Sequence, residues 1–172
     1  VVDNRVLLFH RSGTQEVLDC LELDSGRRIW RVAYEAPYRD RYGSGDGART
    51  SPVIGDGRVW SFGITGVMHC VDLKDGNVVW RKDLGSEYSM RENFFGHGSS
   101  PLLLDGRIII PVGGTEDRCV VALDRTVLVK GRPCWCLQEG RRARLLAVYC
   151  ALTLSPGACL GKLRTGHALR SP

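Results

Sequence analysis

The chain has 172 residues, a formal net charge of +5 and seven cysteines. This length suits one ordinary domain. Residues 145–154 are apolar, but a helix that spans a bilayer needs about 20 such residues, so this segment predicts no transmembrane helix. The charge is divided unevenly, because residues 1–125 hold 16 Lys and Arg against 18 Asp and Glu, whereas residues 126–172 hold 8 against 1. The basic character therefore belongs to the C-terminal part alone.

The chain opens with three short predicted strands, at residues 1–9, 17–23 and 29–32. They are rich in β-branched and apolar residues and are separated by turns that contain glycine, which is typical of antiparallel hairpins. Residues 1–9 resemble residues 53–62, so the chain is expected to begin inside a structural repeat.

Four further short strands are predicted between residues 50 and 80. The first carries Pro52 at its start, where a missing backbone donor is tolerated. Residues 58–62 and 67–73 follow, joined by the turn Gly-Ile-Thr-Gly, and Lys-Asp-Gly then turns the chain into a last strand that contains Trp80. Four consecutive antiparallel strands form one structural unit.

The sequence repeats itself with a period of about 50 residues. Residues 21–30 match residues 71–80 at an offset of 50, with Gly26 over Gly76 and Trp30 over Trp80. A period of about 40–50 residues is typical of propeller blades. Because one blade cannot cover both of its apolar faces, the blades stack. Trp30 and Trp80 are interpreted as wedges between blades that cover the Asp-x-Gly turn of the repeat, and Gly26 and Gly76 are interpreted as structural residues.

The pattern Ser-Pro-Val, Asp-Gly-Arg-Val and Val-Asp-Leu-x-Asp-Gly-x-Val-Val-Trp resembles the pyrroloquinoline-quinone-type (PQQ-like) β-propeller repeat, including the non-enzymatic relatives of the outer-membrane assembly lipoprotein. The resemblance covers about residues 1–125 and implies an all-β fold. We therefore expect a β-propeller fragment of about two and a half four-stranded antiparallel blades, at about residues 1–33, 50–84 and 99–125, followed by an irregular C-terminal tail.

A closed propeller of seven or eight blades would need about 350–400 residues. The chain is therefore expected to expose one blade face at each end and to be marginally stable or prone to aggregation.

The connections that follow Trp30 and Trp80 are long and combine charged residues with aromatic ones. Loops at one end of a propeller commonly carry the binding site, which makes seven residues candidates for a binding surface: Arg39, Arg41, Tyr42, Arg91, Asn93, Phe94 and His97. The alternative interpretation is that the aromatic side chains only fix these loops to the blades while the charges are solvated.

The repeat pattern stops after Asp124, since Leu128 and Arg132 stand where a glycine and a tryptophan are due. Residues 126–172 contain Cys134, Cys136, Cys150 and Cys159, and Glu139 is their only acid. This composition favours a non-propeller tail that arises from an out-of-frame translation or is disordered.

Two other interpretations of the tail are open. The four cysteines with His167 could bind zinc, but their spacing lacks two Cys-x-x-Cys pairs. Arg141, Arg142 and Arg144 could contact phosphates or anionic lipid. No aromatic platform accompanies them, so a nucleic acid is not expected as a partner.

The resemblance also raises the possibility of chemistry, because the enzymatic relatives oxidise alcohols with PQQ and calcium. No adjacent pair of cysteines occurs in the chain, and the repeated aspartates lie at turns, where they serve the backbone. No catalytic residue, cofactor site or metal site is assigned. Cys20, Cys70 and His69 are interpreted as packing residues, and nothing near His10 is expected to pair with it as a base.

These observations favour a non-catalytic scaffold that binds a protein or ligand, in an exported, periplasmic bacterial protein by resemblance. Its partner would be another protein or the missing blades of the same propeller. The first alternative is a fragment of a PQQ- and calcium-dependent alcohol or sugar dehydrogenase. The second is a truncated, frame-shifted product without function.

Overall fold

A computed structural model of the protein describes residues 1–40, 43, 45–90, 96–113 and 120–125. The chain divides into two compact units, residues 1–138 and 139–172, and every described residue belongs to the first. Residues 126–172 lie outside the described residues, so their assignment as a frame-shifted or disordered tail stays a prediction.

The described residues form three antiparallel sheets, which follow one another along the chain. The first sheet contains β1 (Arg5–Ser12), β2 (Gln15–Glu22) and β3 (Arg28–Glu35). The second contains β4 (Val53–Gly55), β5 (Arg58–Phe62), β6 (Val67–Asp72) and β7 (Val78–Asp83), and the single-turn helix α1 (Leu84–Glu87) follows it. The third contains β8 (Leu102–Leu104), β9 (Arg107–Pro111) and β10 (Val120–Asp124). Each sheet is a meander, in which every strand pairs with the next one along the chain.

Matching tight turns show that the three sheets are copies of one unit. Asp56 and Gly57 join β4 to β5 with φ of 46° and 70°, and Asp105 and Gly106 join β8 to β9 with φ of 46° and 73°. Asp3 and Asn4 adopt the same conformation, at 45° and 58°, and an isolated bridge pairs Val2 with Arg5 as Gly55 pairs with Arg58. The first sheet therefore holds the last three strands of a blade, and the third sheet holds the first three. The predicted fold class, an all-β propeller fragment, is confirmed.

The hydrophobic core lies between the sheets. Between the first and second sheets, one cluster joins Leu18, Cys20 and Trp30 to Val59 and Val71. A second, larger cluster joins the second sheet to the third, and it includes Trp60, Phe62, Trp80, Ile108 and Val121. The central strands β2 and β6 are accordingly buried on both faces, as expected for sheets stacked side by side.

Trp30 crosses from the first sheet to the turn of the second. Its Nε1–H donates a hydrogen bond to the carbonyl oxygen of Leu73 at 3.0 Å. Arg5 donates from Nη1 to the same oxygen at 2.5 Å and to the carbonyl of Lys74 at 3.2 Å. The indole lies so close to Gly76 that a Cβ there would be 2.8 Å from the ring. Gly76 therefore provides both the positive φ of the turn and the space for the indole.

The equivalent groups in the next repeat are arranged differently. Trp80 is buried, with 7% of its surface exposed, but its Nε1–H has no hydrogen-bond partner among the described residues. Arg58, which occupies the position of Arg5, donates to the carboxylate of Asp72 in its own sheet at 2.6 Å. Among the described residues, this clamp is seen only between the first and second sheets.

Replacing Trp30 tests the contribution of this contact. Trp30→Ala removes a buried indole and its hydrogen bond, so it is expected to lower the free energy of unfolding by about 3–5 kcal/mol. Trp30→Phe keeps most of the packing but loses the hydrogen bond to Leu73. It is expected to lower the free energy of unfolding by about 1 kcal/mol in addition to the effect of the smaller buried area. Urea denaturation measures both, with Ile29→Ala at the exposed neighbour as control. A Trp30→Ala effect equal to that of the control would contradict the assignment.

The two turn glycines form a second, matched test. Gly26→Ala and Gly76→Ala both place a side chain at positive φ, 68° and 77°, which costs about 1 kcal/mol each. Only the Cβ at 76 also collides with an indole, since nothing lies within 4 Å of the Cβ position at 26. Gly76→Ala is therefore expected to destabilise by about 1–3 kcal/mol more than Gly26→Ala. If the two variants lowered the free energy of unfolding equally in denaturation experiments, the indole of Trp30 would not need the space over Gly76.

Candidate functional site

The long connections lie at one end of the sheets, which we call the loop end. It contains the hairpin turns at residues 12–15 and 63–66, and the described residues of the connections at residues 36–52 and 84–101. Register fixes this placement, because Gln15 pairs with both Ser12 and Glu35. The opposite end carries the short turns at residues 24–27 and 74–77 with Gly26 and Gly76.

Two of the seven candidate binding residues fall within the described residues. Arg39 is exposed on the first connection, and His97 is half-buried on the second. The other five lie outside the described residues, so their role stays a prediction: Arg41, Tyr42, Arg91, Asn93 and Phe94.

Arg11 of β1 fixes the first connection to the sheet. Its two Nη atoms donate to the carbonyl oxygens of Asp46, Ala36 and Tyr38 at 2.9, 3.0 and 3.1 Å. Its Nε donates to the carbonyl of Gly13 in the turn of its own hairpin at 2.9 Å. A guanidinium with several donors in a fixed fork is suited to this task. One charged side chain from the sheet therefore fixes the backbone on both sides of Arg39, at residues 36, 38 and 46.

The turn between β5 and β6 joins three repeats through Ile64. The N–H of Ile64 donates to Oε1 of Glu16 at 2.9 Å, and its carbonyl accepts a hydrogen bond from the N–H of His97 at 3.0 Å. A Cβ added to Gly47 or to Gly96 would collide with the Ile64 side chain. Both long connections therefore reach the same residue of the loop end.

A buried polar cluster lies beneath this turn, between the first and second sheets. Glu16 is fully buried and accepts a hydrogen bond from the Tyr34 hydroxyl at 3.1 Å. The Tyr34 ring stacks on His69 with centroids 4.0 Å apart. Nδ1 of His69 and Oγ of Ser61 are buried without a partner in the described part of the chain. The cluster joins the two sheets, and Glu16, Ser61 and His69 in it are buried while Tyr34 is half-buried.

Burial sets the ionisation of the cluster. It raises the pKa of the Glu16 carboxyl above its ordinary value, although hydrogen bonds from Ile64 and Tyr34 act in the opposite direction. It also lowers the pKa of His69 to about 4, with the charge of Arg81 as a second cause, so His69 is neutral near pH 7. The interpretation of His69 as a packing residue agrees with its burial.

The first sheet holds a second polar group that the sequence did not predict. Asp19 accepts bonds from Nε and Nη2 of Arg31 at 2.8 and 2.7 Å, and His10 Nε2 lies 2.9 Å from its Oδ2. His10 therefore has a carboxylate partner, which the sequence analysis did not predict. Hydrogen bonds from Arg31, and then from His10, hold the pKa of Asp19 below its ordinary value despite burial. Strand register places these side chains together, and only a correct pairing of β1, β2 and β3 could have revealed them.

Cys20 and Cys70 are buried and free. Burial raises the pKa of both thiols, that of Cys70 to about 11, so neither is a reactive thiolate near pH 7. This agrees with their interpretation as packing residues.

The described residues do not fit a quinone and calcium site. Calcium takes six to eight oxygen ligands, and no group of three or more His, Cys, Asp or Glu side chains that could hold a metal occurs among them. The aspartates at the repeat turns bond to backbone and to arginine, as Asp72 does to Lys74 N–H and Arg58. No catalytic step is derived from these residues. Within the same part of the chain, no helix is long and apolar enough to cross a membrane.

Three repeated antiparallel sheets that stack through an indole define a β-propeller repeat protein. A family model described as outer membrane protein assembly factor BamB matches residues 14–152, and the chain belongs to this family of PQQ-like repeats. No curated protein matches the chain.

Solved structures with the same fold include a BamB protein and quinoprotein enzymes. BamB from Moraxella catarrhalis has 18% identity and a TM-score of 0.50, with 80% of this chain and 35% of that chain covered. The quinohemoprotein alcohol dehydrogenase from Comamonas testosteroni has 23% identity and a TM-score of 0.54, with 78% and 19% covered. The quinohemoprotein alcohol dehydrogenase ADHIIG from Pseudomonas putida HK5 has 25% identity and a TM-score of 0.50, with 73% and 18% covered. The chain thus spans about a fifth to a third of the length of these proteins.

The two buried carboxyls predict opposite effects of pH on stability. The pKa of Glu16 is higher in the folded protein than its ordinary value of 4.5, so its stabilising contribution is complete below that value and is lost as pH rises through the folded pKa. The pKa of Asp19 is lower than its ordinary value of 3.8, so its contribution is complete above that value and is lost as pH falls through the folded pKa.

Glu16→Gln is therefore expected to lose less stability than the wild type as pH rises from about 4 to about 8, since the amide keeps the acceptor for Ile64. Asp19→Asn is expected to be less stable than the wild type near pH 7. It is also expected to lose less stability than the wild type as pH falls below about 4. Urea denaturation across this range measures both. Profiles that run parallel to the wild type would contradict the assigned shifts.

Proposed function

We propose that the chain is part of a non-catalytic, periplasmic propeller that binds a protein partner through its loop end, in the assembly of outer-membrane proteins. The family description names such an assembly factor. The observation that carries the proposal is the set of three hydrogen bonds from Arg11 to the backbone of the first connection, at Ala36, Tyr38 and Asp46. A loop already ordered before binding loses less conformational entropy when a partner binds.

The arrangement of polar groups supports a binding role over a catalytic one. Glu16, Tyr34 and His69 contact one another between two sheets, and Asp19 is held by Arg31 and His10. Groups used in this way stabilise the scaffold. Arg39, by contrast, is exposed on the ordered connection, and exposed arginine is favoured at protein interfaces.

Site-specific photo-crosslinking in a bacterium with an outer membrane tests the proposed surface. A photoreactive amino acid at position 39 is expected to crosslink to an outer-membrane protein or to another assembly component, identified by mass spectrometry. The same amino acid at Asp75, which is exposed at the opposite end of the sheets, serves as control and is expected to give at least tenfold less product. Equal products at both positions, or none at position 39, would contradict the proposal.

The dehydrogenase alternative is tested separately with the purified full chain. PQQ and calcium are added, and binding is measured by fluorescence titration, followed by dye reduction with alcohols and sugars. The proposal predicts neither saturable binding nor reduction. Saturable binding with calcium-dependent reduction would favour the enzyme fragment instead.

A further inference from the structure

The turn at residues 63–66, which joins β5 to β6, is mostly buried, whereas the equivalent turn of the first sheet is open. Ile64 in the former is 1% exposed. In the turn between β1 and β2, residues 12–14 are exposed, and nothing lies within 4 Å of the Cβ position at Gly13. A hairpin turn of this repeat therefore forms without covering contacts, and the contacts around Ile64 are an addition. We call the turn at residues 63–66 the latch turn.

The backbone of Ile64 is bonded to two different parts of the chain. Its N–H donates to Oε1 of Glu16 in the first sheet at 2.9 Å. Its carbonyl oxygen accepts a hydrogen bond from the N–H of His97 in the second connection at 3.0 Å. The preceding Gly63 leaves room for the carboxylate, since a Cβ there would collide with Glu16 and would lie 2.8 Å from the Tyr34 hydroxyl. One residue of the latch turn therefore links the first sheet to the second connection.

The side chain of Ile64 contacts both connections. The Cβ position at Gly47 is 2.9 Å from its Cδ1, and the Cβ position at Gly96 is 3.0 Å from the same atom. Both glycines have positive φ, 106° and 67°, so each brings backbone close to the side chain where a Cβ would not fit. The first connection is also bonded to the end of β5, because the Thr50 hydroxyl donates to the carbonyl of Phe62 at 2.6 Å. Movement of the latch turn would therefore disturb the packing of both connections.

Loss of the Glu16 acceptor would release the latch turn. The bond to Glu16 satisfies the N–H of Ile64 inside the protein, and a buried N–H without a partner is costly. This N–H can regain a partner from water if the turn leaves its place. The carbonyl bond to His97 and the packing against both glycines would then be lost in the same movement. The latch turn thus has two alternative states, held and released.

We propose that the latch turn couples the two connections of the loop end: while Glu16 holds it, both connections stay ordered, and its release frees both together. A partner that binds the first connection would then also stabilise the second, and this consequence rests on the function proposed above. The coupling itself is a property of the chain alone. Its test needs no partner, so the coupling and the proposed function can fail separately.

Amide hydrogen exchange of the full chain at pH 7 tests the coupling from the first sheet to the second connection. The reporter is the N–H of His97, which donates to Ile64 and not to Glu16. Glu16→Leu is expected to speed its exchange about tenfold or more. Glu16→Gln keeps the acceptor for Ile64, and Glu35→Leu changes an exposed glutamate of β3. Both controls are therefore expected to leave the exchange rate within about threefold of the wild type.

A role of Glu16 in stability alone would give a different result. Glu16→Leu would then speed the exchange of the Ile64 N–H and leave that of His97 unchanged, and this outcome would overturn the proposal. The N–H groups of the central strand β6 report global unfolding. The coupling predicts that the exchange of His97 rises relative to theirs, whereas an equal rise in both would also overturn it.

Gly96→Ala tests the coupling in the reverse direction and decides the matter if the first variant does not fold. Its Cβ would press on Ile64 from the second connection. The reporter is the N–H of Asp40 in the first connection, whose exchange is expected to be about tenfold faster. Gly98→Ala in the same connection is the matched control, because its Cβ would meet only the Cβ of Arg49, at 3.7 Å. Equal exchange of the Asp40 N–H in these two variants would overturn the proposal.

Discussion

The contact between the Trp30 indole and Gly76 is the constraint on which the stacking of the first two sheets depends. A four-stranded sheet of this repeat is apolar on both faces and cannot bury either by itself. The indole covers the turn of the following sheet, and its N–H satisfies the Leu73 carbonyl together with Arg5. A polar group that would otherwise be buried at the interface is thereby paired, and the apolar faces can close around it.

The opposite end of the sheets is joined by different physical means. Buried Glu16 accepts a hydrogen bond from Ile64 of the next sheet, and Arg11 ties the connecting loop to its own sheet. Charged groups make these contacts because loop backbone presents carbonyl and N–H groups that strands do not pair. The same contacts hold the exposed Arg39 in place, so the interactions that order the scaffold also prepare the surface proposed to bind a partner.

The sequence alone predicts the fold well, because the repeat is marked by turn residues that tolerate positive φ. Asp-Gly at 56 and 105, and Gly26 over Gly76, mark turns with positive φ, and hydrophobic strands of regular length lie between them. The sequence does not show which sheet receives Trp30. A repeat period shows which residues occupy equivalent positions, but it does not show which residues are in contact. Glu16 and Ile64 are 48 positions apart, and no spacing rule links a strand residue to a turn in the next repeat. The contact between His10 and Asp19 was missed for the same reason, since the two residues lie across a hairpin whose register had to be known.

A double-mutant cycle between Trp30 and Gly76 tests the central claim most directly. If the indole occupies the space over Gly76, the collision caused by Gly76→Ala should disappear once Trp30 is alanine, which leaves a coupling energy of about 1–3 kcal/mol. Urea denaturation of the wild type, the two single variants and the double variant gives this value. Effects that add to within about 0.5 kcal/mol would contradict the account, because the two residues would then not be in contact.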